Sequence, residues 1–163
     1  VMELGGLHHD RERVFLLSTT HGAETHSLAA AKAVIDIYRS EDVIGTLYRQ
    51  GERLASGVRQ AVTALGIENA FTLAGRPCAL LYGTRDAEGK PSQEFRTLFL
   101  QELIKRGVLA PSFIVSYSHK DGDIDRTIDA VTGALEVYRR ALDDGVEKFL
   151  VGPAVKPVYR RFN

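Results

Sequence analysis

One cysteine, no excess of either charge and no long apolar run set the first bounds on this chain. A single thiol, Cys78, cannot close a disulfide within the chain, which suits a reducing compartment and predicts a cytoplasmic protein. Lys+Arg and Asp+Glu each number 21, so neither a basic field for nucleic acid nor an acidic one for cations surrounds the whole chain. No stretch approaches the roughly 20 apolar residues that a bilayer-spanning helix requires, and no membrane partner is expected. Residues 1–13 are mostly polar and charged, so no secretory leader is expected there. Internal repeats and low-complexity tracts are absent as well.

What is present is ordinary for a folded domain: 44% hydrophobic and 26% charged residues in a chain of 163, enough for one real core. The opening, V-M-E-L-G-G-L-H-H-D-R-E-R-V, offers no structured first element and reads like the middle of something longer.

Val14 to Ser18 is a short buried-strand candidate. Glu24 to Arg39 is predicted helical, with Leu28, Ala31, Val34, Ile35 and Tyr38 on one side. Ser40 is expected to cap a second helix, Glu41 to Leu65. Its apolar positions, from Val43, Ile44, Leu47 and Tyr48 to Leu54, Ala55, Val58, Val62 and Leu65, keep a helical period. Gly66 is a natural stop. Phe71–Ala74 and Cys78–Tyr82 then predict two strands joined by Gly75-Arg76-Pro77. After the polar turn Thr84–Pro91 comes a helix from Ser92 to Arg106, with Phe95, Leu98, Phe99 and Leu103 inward and Gly107 ending it. Phe113–Tyr117 is another strand candidate. A last helix from about Asp121 carries Ile124, Ile128, Val131, Leu135, Tyr138 and Leu142, and an irregular tail follows from Lys148. This order predicts an α+β fold, with helices packed on a small antiparallel sheet.

Two stretches could carry chemistry. In S-T-T-H-G-A-E-T-H-S, residues 18–27, two hydroxyls and a glycine run into a helix start. Free N–H groups and the positive end of the helix dipole suit an anion there, with Thr19 and Thr20 as donors and Gly22 allowing close approach. Simple capping of orphan amides explains the same residues, and is the plainer account from spacing alone. The second stretch is G-V-L-A-P-S-F-I-V-S-Y-S-H-K-D-G-D-I, residues 107–124. Asp121 and Asp123 suit the helix start, and His119 is either a catalytic candidate or, the plainer account, a loop histidine satisfied by a neighbouring backbone group.

Taken together these stretches resemble the C-terminal part of class III pyridoxal-phosphate aminotransferases, closest to the glutamate-1-semialdehyde 2,1-aminomutase branch. The marks are G-G near the start, a strand entering S-T-T-H-G-A-E, and A-P-S followed by S-x-S-H-x-x-x-D-I. The resemblance implies a fold-type I enzyme that moves an amino group on pyridoxal 5'-phosphate. It assigns residues 1–39 to the end of the large domain and a connecting helix, 40–147 to the small C-terminal domain and 148–163 to a tail. It implies that Thr20, with Thr19 and Gly22 beside it, reaches the cofactor phosphate held by the other subunit. A homodimer and a small-molecule amino donor and acceptor follow from the same resemblance. Val108 or Leu109 stands where many ornithine-type relatives carry an arginine. The family's Schiff-base lysine belongs to a segment upstream of Val1, so this chain alone is expected to be inactive, with no catalytic residue of its own. A binding module that kept the fold without the chemistry is the alternative, and a decarboxylase or epimerase on the same scaffold is another.

The remaining candidates carry less. His8-His9 lacks the i, i+4 spacing and acidic partner of a zinc site. Arg76 either faces substrate or an interface or, the plainer account, is exposed in a structural role, and Cys78 is expected to be a small buried hydrophobe on a strand. Tyr159-Arg160-Arg161-Phe162 ends a tail that either docks on a partner subunit or stays solvated.

Overall fold

A computed structural model describes residues 24–156. The chain divides into two compact units, Val1–Asp42 and Val43–Asn163. In the first, α1 (Thr25–Ser40) forms where expected, and none of its residues is buried. The apolar side from Leu28 to Tyr38 is exposed. Ser40 is not the cap of the next helix. It is the last residue of α1, and its hydroxyl donates back to the carbonyl of Asp36 at 3.0 Å. The chain is extended at Glu41 before α2 begins.

The second unit is the predicted α+β layer. Its helices are α2 (Val43–Leu65), α3 (Gln93–Lys105) and α4 (Asp121–Asp144), and its strands are β1 (Phe71–Arg76), β2 (Ala79–Thr84) and β3 (Phe113–Ile114). The sheet is antiparallel in the order β1-β2-β3. Pairing Leu80 with Phe113 and Leu73 with Tyr82 turns one face toward the helices. The opposite face leaves Leu81 and Ile114 59% and 65% exposed. Antiparallel sheets commonly solvate one face, and this one does.

α2 buries Leu54, Ala55, Val58, Ala61 and Val62, one stripe at helical spacing. Ile44 and Tyr48, expected on the same stripe, are exposed. Gly66 ends the helix with φ +64°, while its N–H bonds the carbonyl of Thr63 and that of Ile67 bonds Val62. This Schellman arrangement satisfies the last carbonyls and folds Ile67 into the core.

The hairpin is longer than the sequence suggests. Gly75 and Arg76 belong to β1, and the turn is Pro77-Cys78. Cys78 therefore sits in the turn, half-buried, and not on a strand. The turn lies against α2 at Gly51, where an added Cβ would overlap the carbonyl of Pro77. Only glycine allows that approach. β3 is shorter than Phe113–Tyr117. Val115 donates once more, to the carbonyl of Cys78 at 3.2 Å, and the serines that follow turn the chain.

α3 and α4 are joined by a buried charge. Glu102, 5% exposed, accepts from Lys105 at 2.6 Å, from Arg106 at 2.8 Å and from Gln101 at 3.1 Å. Arg106 also donates across to the carbonyl of Gly133 on α4 at 3.0 Å. Burial pushes the Glu102 carboxyl up, but the hydrogen bonds from Lys105, Arg106 and Gln101 outweigh it and hold it at about 2.

Two predictions follow from this packing. Gly51→Ala gains helix propensity yet forces the turn off α2, and a net loss of about 1–3 kcal/mol is expected in urea unfolding; a more stable variant would contradict the close approach. The Glu102 bonds stabilise the fold fully above its ordinary value of 4.5 and are lost as pH falls toward about 2. Glu102→Gln should cost about 2 kcal/mol near neutrality and flatten the acid limb of stability between those values. An unchanged limb in titrated unfolding curves would refute the assignment.

Candidate functional site

Thr19, Thr20 and Gly22, the residues expected at a cofactor phosphate, lie outside the described residues. So do Gly5-Gly6, Val14–Ser18, His8-His9 and Tyr159–Phe162. The second stretch, 107–124, is described throughout and forms one continuous wall.

The wall begins where α3 stops. Gly107, at φ +76°, donates to Ile104, and Val108 donates to Leu103, so the helix closes with its carbonyls satisfied. Side chains then hold the A-P-S segment. The Tyr82 hydroxyl donates to the carbonyl of Ala110 at 2.9 Å, and Arg96 donates to that of Pro111 at 2.9 Å. The Arg96 guanidinium also lies 5.0 Å over the Tyr82 ring. Burial pushes the Tyr82 phenol up, with Arg96 opposing it, so the hydroxyl stays protonated and able to donate.

After β3 the serines and His119 close a compact turn. The N–H of Ser116 donates to His119 Nδ1 at 3.1 Å, and the N–H of Ser118 donates to the Ser116 hydroxyl at 3.2 Å. His119 is thus satisfied by a backbone group, as expected, and that bond places its ring proton on Nε2.

α4 starts at an unusual cap. Lys120 carries no acceptor and sits at the positive end of a 24-residue helix. Asp123 compensates by accepting the N–H of Lys120 at 2.9 Å. Asp121 accepts from Gln50 of α2 at 2.6 Å, while Arg53 pairs with Asp125 through two bonds of 2.8 and 2.9 Å. These ties fix the helix start against α2. Gln50 and Arg53 gave no distinctive signal in the sequence, because their partners lie about 70 residues away.

Two concavities open along this wall, with His119 bordering both. One, of about 290 Å³, has an apolar floor including Leu54, Phe113 and Ile124, with Arg126 and Asp123 at its side. The other, of about 490 Å³, is polar and is bordered by Arg49, Gln50, Lys120 and Asp121. Arg126 was not singled out in the sequence. Its signal was the i, i+3 spacing from Asp123, which puts both on one side of α4.

All six lysines fall within the described residues, and each is exposed. Lys32 pairs with Asp36 and Lys105 with Glu102. A lysine bonded to a cofactor aldehyde works from a site that strips its ammonium of water, so these lysines do not fit that role. Among the described residues, no group of three His, Cys, Asp or Glu side chains is placed to hold a metal ion. No described helix is long and apolar enough to cross a membrane. No family model matches the chain.

His119→Ala removes the acceptor of the Ser116 amide on an exposed turn. Exchange of that amide with solvent should quicken markedly while global stability changes by less than about 1 kcal/mol. Unchanged protection at Ser116 in hydrogen-exchange NMR would show that the turn does not depend on the imidazole.

Proposed function

We propose that this chain is the C-terminal part of a pyridoxal-phosphate-dependent aminotransferase or aminomutase of class III, similar to glutamate-1-semialdehyde 2,1-aminomutase. The supporting observation is the course of residues 107–124. The A-P-S segment, between α3 and β3, and the S-Y-S-H-K-D-G-D-I segment, which runs into the first turn of α4, carry the resemblance and line one wall with two concavities on an α+β domain.

In this reading the chain gives the intact cytoplasmic enzyme one side of its active site and part of a homodimer surface. Thr20, with Thr19 beside it, donates its hydroxyl to the phosphate of the cofactor held by the other subunit, and Gly22 lets the backbone approach closely. The covalent anchor comes from a lysine upstream of this chain, because the lysines here do not fit it. The cofactor, when bound, supplies the electron sink for amino-group transfer. This chain's own part is to position and to exclude water.

The exposed lysines equally favour a second reading, a non-catalytic binding module that kept the fold. Intact mass of the natural gene product separates the two, measured before and after borohydride reduction in the presence of pyridoxal phosphate. A much heavier chain that gains one reduced pyridoxyl group is expected. A chain of 163 residues with no adduct would leave the binding module.

A further inference from the structure

The smaller concavity gathers hydrogen-bond donors that the protein itself leaves unused. Leu109 and Ala110 donate their N–H groups to no acceptor among the described residues, although Ala110 is only 8% exposed. Segments with buried backbone normally account for every N–H. The Ser112 hydroxyl and the Arg126 guanidinium, both bordering the same space, also have no partner among the described residues. Asp123 lies one turn before Arg126, but its carboxylate turns back to the N–H of Lys120 and forms no ion pair with Arg126. Beneath these donors the floor is apolar and buried: Leu54, Phe113, Val115 and Ile124.

We infer that this concavity is a binding subsite for a small aliphatic monocarboxylate. The carboxylate takes the Arg126 guanidinium, the Ser112 hydroxyl and the two backbone N–H groups, and a chain of a few carbons lies on the floor. A pocket with an apolar lining and a few convergent polar groups is the ordinary form of a small-molecule site. Guanidinium and amide donors together match the two oxygens of a carboxylate. About 290 Å³ limits the occupant to a short molecule. The site needs neither pyridoxal phosphate nor Thr20, so it stands or falls apart from the aminotransferase reading.

The test is a titration of the full chain with sodium butyrate, followed by amide NMR, with acetate and n-butanol as controls. Butyrate should shift the amides of Leu109, Ala110 and Ser112 saturably. Acetate lacks the aliphatic body and n-butanol lacks the charge, and each should bind at least about tenfold more weakly. Arg126→Gln changes an exposed side chain and should leave the melting temperature in place. It should weaken butyrate about tenfold without altering n-butanol, and Arg126→Lys should restore part of the loss. Shifts that do not saturate, or a Gln variant that binds butyrate as the wild type does, would overturn the subsite.

Discussion

The phenol of Tyr138 holds the second unit together. It lies fully buried on α4 and reaches the place where the hairpin's two ends meet. Its hydroxyl donates to the carbonyl of Arg85 at 2.7 Å, with that of Ala70 also within 3.1 Å, and it accepts the N–H of Arg85 at 3.0 Å. Removing the hydroxyl would leave the Arg85 carbonyl without this bond, while the Arg85 N–H and the Ala70 carbonyl keep their own at 2.8 Å. Burial pushes the phenol up, far from any pH at which it would ionise. Around it the rings of Phe71, Phe95, Phe99, Tyr82 and Phe113 meet edge-on or tilted, apart from the stacked Phe71–Tyr82 pair. The sheet is only three strands wide, and this ring cluster is what lets it support three helices.

The wall at residues 107–124 inherits its shape from that core. Tyr82 belongs to the cluster by its ring and to the wall by its hydroxyl, which fixes Ala110. Phe113 does the same through its place in β3. Loop segments are normally the mobile part of a domain, and here their backbone is fastened by side chains rooted in regular structure. Such fastening is what a site on loops requires. The unpartnered donors of Leu109, Ser112 and Arg126 lie toward solvent on this wall, while among the described residues no buried side-chain nitrogen or oxygen lacks a partner.

The start of α4 shows a local preference overridden. A lysine at the cap and a positive helix end repel each other, and Asp123 offsets this from one turn inside. The ties from Gln50 and Arg53 then place the first turn against α2. Local rules are often broken where a chain serves something other than its own stability, and both concavities border this turn.

The sequence by itself determined the elements. The stripe of Phe95, Leu98, Phe99 and Leu103 and the glycines at 66 and 107 state where helices run and stop, because these are short-range consequences of spacing and backbone freedom. The proposed family resemblance, with Thr20 at its centre, rests on motif order alone. Only the tertiary structure decided the rest. Ser40 closes one helix instead of opening the next, the hairpin turns at Pro77-Cys78, and β3 ends after two residues, since each boundary depends on partners distant in sequence. The same holds for the site. Asp121 meets Gln50 across 71 residues, and the donors of the smaller concavity are recognised as unused only once every possible acceptor has a position. Periodicity records what a residue's neighbours along the chain require. It carries no record of which distant group will meet it, and that meeting is what makes a site.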